Sequence, residues 1–200
     1  MDRYRYAPLE KDCIQLLRIK RSTDRAIQGT LPHHRLSDSL TFVALSYYWG
    51  PPTPAHEIII SGRPFSVRDN LYMGLQQLVT DKFNEFIWID AICINQDDRS
   101  EKQHQIPLMG RIFAGAFYVL AWLGPASAQE EECFRALVFE PTIRASVSEE
   151  VKASLFPPLP DWKLFYSTVG RIFQRPWFQR LWVVQEVCLA KHIELLCGSA

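Results

Sequence analysis

Carboxylates at the ends of apolar runs are the residues of this sequence best placed to do chemistry. Glu186 follows Trp182 by four residues in PWFQRLWVVQEVCLA (176–190). On a helix it projects beside that indole, off the stripe made by Trp177, Leu181, Val184 and Cys188. Flanked by Trp182, Val183 and Val187, it sits in partly apolar surroundings and needs a partner or a function. Two readings stay open: a structural ion pair with Arg180 or Arg111, and a functional acid. A second group lies where strand-like runs stop. Ser46, Tyr47, Tyr48 and Trp49 close TFVALSYYW (41–49), and Asp90 closes EFIWID (85–90). In an open parallel sheet, ligands bind beyond the carboxyl ends of the strands, and that rule selects both places.

Other constellations are weaker. Asp90, Asn95, Gln96, Asp97 and Asp98 could ligate a hard cation, but the loop lacks the glycine and distal glutamate of a calcium loop. A capped helix start explains Asp97, Asp98 and Ser100 as well, so no metal site is assigned. Cys93 with His104, and Cys188 with His192, are two-residue coincidences that do not make a zinc site. Neither a GxSxG nucleophile elbow nor a glycine-rich phosphate loop is present.

The elements that must position these residues follow from pattern. CIQLLRIK (13–20) reads as a strand, and 22–39 as a polar loop. The run 41–49, stopped by Gly50-Pro51-Pro52, reads as a buried central strand. EIIIS and PFSV around Gly62-Arg63 read as a hairpin, and DNLYMGLQQLV (69–79) as a helix capped by Asp69 or Asn70. Strand 85–90, a helix over 100–116 with a kink near Pro107, and strand 117–124 imply a right-handed parallel crossover. The helix carries apolar residues at Ile106, Met109, Ile112, Phe113 and Ala116. Residues 125–175 read as a helical insertion, with Asp161 capping a helix whose stripe is Trp162, Phe165, Val169 and Phe173. Pro176 opens the last helix, and HIELLCG (192–198) is one more strand. The fold class is α/β.

Composition bounds the partners. The 200 residues carry 22 Lys+Arg against 22 Asp+Glu, which supplies no basic face and argues against nucleic acid or an anionic membrane. The first residues have no apolar signal core, and no run reaches the roughly 18–20 apolar residues of a membrane span. An intracellular, cytoplasmic chain is expected. Five scattered cysteines suit buried reduced thiols. Trp49, Trp88, Trp122, Trp177 and Trp182 are expected in the core or in pocket walls.

Three segments, FVALSYYWG (42–50), FIWIDAICINQDDRSEKQHQIPLMGRIFAGA (86–116) and RPWFQRLWVVQEVCLA (175–190), resemble the three blocks of the fungal heterokaryon-incompatibility (HET) domain, in the family's order. SYxWG, WIDAxCINQ and WxxRxWxxQE rarely coincide. The resemblance implies a single domain over 1–200, the N-terminal part of a longer protein, that triggers programmed cell death when genetically different fungal cells fuse. It further implies a fold similar to the Toll/interleukin-1 receptor (TIR) domain: a mostly parallel sheet flanked by helices, here with an added hairpin (54–67) and the insertion (about 125–175). Some TIR domains cleave NAD. By that likeness NAD is the expected substrate and no cofactor is needed. Glu186 is the catalytic carboxylate, while Ser46, Tyr47, Trp49, Asp90 and Trp182 bind substrate, Trp49 or Trp182 by stacking. The resemblance also implies self-association on activation, as a homo-oligomer, and control by a regulatory domain or partner protein. The alternative is a non-enzymatic self-association module.

Overall fold

A strand that reads as unbroken apolar sequence is covered on both faces, and the TFVALSYYW run is such a strand. In the computed structural model, which describes residues 2–20, 26–37, 39–134 and 162–199, this run forms β5 (Val43–Tyr47), with all five residues buried. It lies between two parallel neighbours, β8 (Phe86–Trp88) and β9 (Val119–Trp122). Val43 pairs with Ile87 and Tyr47 with Trp122. Edge strand β10 (Ile193–Leu196) adds to β9 in parallel. The eight-stranded sheet runs β10-β9-β5-β8-β2-β3-β6-β7. Its β10-β9-β5-β8 half is wholly parallel, and the other half is mixed.

Strand β8 reaches β9 across β5 through a helical connection. That connection is α2 (Asp90–Cys93), α3 (Arg99–Gln105), a 3-10 turn at Ile106–Leu108 and α4 (Met109–Gly115). The expected kink falls at Pro107, which has no N–H to continue the ladder. Met109, Ile112, Phe113 and Ala116 are buried as their spacing predicts, whereas Ile106 is exposed at the kink. Asp98 caps α3, accepting from the Ser100 and Glu101 amides.

Several local expectations are corrected. The segment 13–20 is two strands, β1 (Cys13–Gln15) and β2 (Leu17–Lys20), which belong to different sheets. The supposed loop 22–39 contains β3 (Gln28–Thr30) and β4 (His33–Arg35), which pair with β2 and β1. Gly29 makes the β2–β3 approach possible, because a Cβ there would meet Leu17 Cδ1 at 2.8 Å and the Arg18 carbonyl at 2.9 Å. The hairpin of β6 (Ala55–Ile60) and β7 (Arg63–Arg68) turns on Ser61-Gly62, both at positive φ, one residue earlier than expected.

Helix α1 (Asp69–Thr80) forms as expected, but neither Asp69 nor Asn70 caps it. Asp69 pairs instead with His56 Nε2 at 2.7 Å. Asn70 donates to the Tyr48 carbonyl and accepts from Trp122 Nε1. Both side chains are engaged by tertiary partners.

Of the insertion, residues 128–134 are helical and α5 spans Trp162–Phe173. The proline-broken stretch 141–160 and the Asp161 cap lie outside the described residues. The buried side of α5 carries Phe165, Thr168 and Ile172, while Phe173 is exposed. The face is therefore turned about one position from the expected stripe.

The last helix is not continuous. A 3-10 turn (Pro176–Gln179) with Pro176 in its first turn gives way to an extended Arg180 before α6 (Val183–Cys188). Trp177 is buried, but Leu181, Val184 and Cys188 are exposed. The predicted stripe required an unbroken helix, and the break rotates those three residues outward. Trp177 packs with Ala121, Leu123, Phe134, Ile172 and Cys197 in a second hydrophobic cluster beside the main core.

Candidate functional site

Ser46 is a polar residue inside a fully buried strand, so its hydroxyl must find partners. It has two. Trp177 Nε1 donates to Ser46 Oγ at 2.8 Å, and the hydroxyl donates to Glu186 Oε2. Glu186 is only 2% exposed. Arg180 grips the same carboxylate as a fork: Nη2 donates to Oε1 at 2.8 Å and Nη1 to Oε2 at 3.1 Å. On an unbroken helix, residues six apart lie on different faces. The extended backbone at Arg180 lets its guanidinium fold back onto α6. Arg180 is thus the partner of Glu186, and Arg111 is not, since it pairs with Asp12.

The carboxyl end of β8 brings a second acid to the same place. Asp90 opens α2, where Trp49 Nε1 donates to Oδ2 at 2.8 Å and the Ala91 amide to Oδ1 at 2.7 Å. Tyr47 is buried, and the Asp90 charge acts on its hydroxyl. Trp49, Asp90, Gln96, Arg180 and Trp182 line a cleft of about 320 Å³, within the usual size of a small-molecule site. Trp182 is 50% exposed and gives the cleft an open aromatic wall. Of the residues selected from sequence, Trp49, Asp90 and Trp182 line this cleft, while Tyr47 is buried against Asp90. Ser46 and Glu186 lie behind Arg180, which separates them from it.

Residues 42–186 match the family described as heterokaryon incompatibility protein (HET), a span that contains every residue of this cluster. A curated protein of Neurospora crassa, heterokaryon incompatibility protein 6, OR allele, is 32% identical over 200 aligned positions, covering 82% of this chain and 29% of that protein. The chain belongs to the HET family. It spans under a third of the length of the relative it matches. No solved structure matches it. Among the described residues, no helix of this HET chain is long and apolar enough to cross a membrane.

Within the HET site, the electrostatics are uneven. Burial pushes the Asp90 carboxyl up to about 6, against the pull of the Trp49 and Ala91 donors and of the Arg180 charge, while the Glu186 charge adds to the push. Burial, reinforced by the Asp90 charge, raises the Tyr47 hydroxyl well above its ordinary range. Cys93 is pushed up to about 12 by burial. It therefore stays a thiol, and His104 bonds the Ser100 carbonyl instead. The Asp98 carboxylate is taken up by the Ser100 and Glu101 amides and the Asp97 amide by Asn95 Oδ1, and no group of three or more metal-ligating side chains forms among the described residues.

The Asp90 shift has a consequence for stability. The folded chain holds this proton up to about 6 and the unfolded chain only to about 3.8. The contribution is therefore complete below the lower value and is lost as pH rises through the upper one. A shift of that size corresponds to about 3 kcal/mol. Asp90→Asn removes the cost but leaves one donor without its acceptor, worth about 1 kcal/mol or more. The variant is expected to be about 1–2 kcal/mol more stable than wild type in urea denaturation at pH 8, with the gain gone at pH 4.

Two members have roles beyond those expected. Trp177 is a core residue as expected, and its N–H also orients Ser46. Arg180 is the partner of Glu186 and also lines the cleft. The available signal was in WxxRxWxxQE, which places a fork-shaped cation and a carboxylate on one short segment.

Proposed function

We propose that this HET domain is the effector module of a heterokaryon-incompatibility protein and acts by cleaving the nicotinamide glycosidic bond of NAD in the Trp49–Asp90–Arg180–Trp182 cleft. The observation that carries this reading is convergence. Ser46 and Glu186, from distant segments, are joined behind Arg180, and Arg180 lines with Asp90 one ligand-sized cleft that has two indoles in its wall.

The chemistry suits such a site. Water adds to the anomeric carbon, the C–N bond breaks with its electron pair moving to the pyridinium nitrogen, and neutral nicotinamide leaves. No general acid is required. A carboxylate stabilises the oxocarbenium-like transition state, the role given to Glu186. Asp90, ionised above about 6, accepts the proton of the attacking water. In the resting chain Arg180 covers Glu186. Activation by self-association turns the guanidinium away and opens the carboxylate to the ribose.

Nicotinamide release from NAD by wild type and Glu186→Gln tests the reading, measured on dilute chain and on chain held as an oligomer. Glutamine can still accept from Ser46, and circular dichroism reports folding. Release by assembled wild type and none by a folded Glu186→Gln supports the proposal. NAD left intact by assembled wild type overturns it. Leu181 and Val184, 86% and 62% exposed, favour the second reading, a self-association module without chemistry. That reading survives intact NAD if the chain still assembles.

A further inference from the structure

We propose that the groove adjoining this cleft is a phosphate-binding site, so that the two together take a nucleoside diphosphate unit: the diphosphate on Arg3, Arg5 and Arg68, and the attached nucleoside reaching past Trp49. This deepens the reading above and rests on it for the placement of the nucleoside.

The groove has a volume of about 570 Å³ and shares Trp49 and Gln96 with the cleft. Tyr47 also lines the groove, and its hydroxyl feels the charge of Asp90 of the cleft. One ligand can therefore run through both. The charge is the distinguishing feature. In a chain with zero net charge, this groove is lined by three arginines against the single carboxylate of Asp97. Arg3 and Arg5 are exposed and form no ion pair among the described residues. Arg68 spends one N–H on the Gly50 carbonyl at 2.7 Å, and its guanidinium lies 5.1 Å from the Trp49 ring centre. Its remaining donors are available to an anion in the planar fork that suits phosphate.

The segment carrying Arg3 and Arg5 is fastened down. The Tyr4 amide donates to the Pro64 carbonyl at 3.0 Å, and the Tyr6 hydroxyl to the Ile92 carbonyl at 2.8 Å. The rings of Tyr4 and Tyr6 pack edge-on against each other and against Phe65. Along residues 3–6, exposed arginines alternate with half-buried tyrosines. The tyrosines anchor the backbone and the arginines are held over the groove. Positive groups fixed in advance bind an anion without the ordering cost of a loose arm.

Calorimetric titration with ADP, pyrophosphate and adenosine tests the assignment, since glycoside cleavage destroys none of these probes. ADP should bind more tightly than pyrophosphate, and both more tightly than adenosine. Arg3→Ala/Arg5→Ala, which alters only exposed side chains, should weaken ADP about tenfold, the low end for losing charge-assisted hydrogen bonds, and leave adenosine unchanged. ADP binding with wild-type affinity in the double variant, or no ADP binding by wild type, overturns the proposal. Equal binding of pyrophosphate and ADP overturns the nucleoside half of it. NAD cleavage with an unchanged KM in the double variant sinks the phosphate site alone. ADP binding that depends on the arginines, in a chain that leaves NAD intact, sinks the glycohydrolase alone.

Discussion

Arg180→Met lowers the unfolding free energy by about 3–5 kcal/mol, the cost of stranding a buried charge whose partner has been removed. Glu186 is almost wholly enclosed, and both of its charged donors come from one guanidinium. Methionine keeps the bulk but supplies no charge and no N–H. The Ser46 hydroxyl alone cannot balance an ionised carboxylate in that setting. The double variant Arg180→Met/Glu186→Gln recovers most of the loss, because a neutral amide can still accept from Ser46 and no charge remains to be paired. Urea denaturation of the wild type, both singles and the double gives the coupling directly. Additive losses from the two singles would show that the fork contributes little.

Trp177→Ala is expected to cost about 3–5 kcal/mol, the range for emptying a buried indole site, and to lower the melting temperature by about 10 °C in a chain of this length. The indole fills the second cluster, packs edge-on against Phe178 with ring centres 4.8 Å apart, and donates to Ser46. Trp177→Phe separates these roles. It keeps most of the packing and loses the donor, so about 1–2 kcal/mol should go. Thermal melts of the two variants check the difference. A phenylalanine variant as unstable as the alanine one would make the hydrogen bond, and not the packing, the main contribution.

Legibility followed locality. Strand β5 and helix α1 carry their own patterns, an unbroken apolar run and leucines at helical spacing, and both were found close to their true limits. Strands β3 and β4 are not legible, because QGT and HHR have no alternation of their own. They are strands only because β2 and β1 lie beside them. The same reason explains α6. Local spacing favours one helix over 176–190, but Arg180 is extended and folds back onto Glu186, a contact between residues six apart that helical periodicity does not record. Glu186 itself was legible as an acid in apolar surroundings, with its enclosure hidden. Trp49 and Asp90 are legible from the strand-end rule, because each stands just beyond a strand, and Trp182 from the motif resemblance.

The Ser46 hydroxyl is joined to Trp177 and Glu186 across 131 and 140 residues of chain. Contacts of such separation close a very large loop, so they form after local structure has been laid down. Strand β5 must wait with an unpaired hydroxyl near its carboxyl end until the segment carrying Trp177 and Glu186 docks. The polar cluster therefore acts as the closing clasp of the fold, absent from the folding nucleus. Weakening it is expected to quicken unfolding far more than it slows folding, and during synthesis the clasp can close only after Glu186 has emerged.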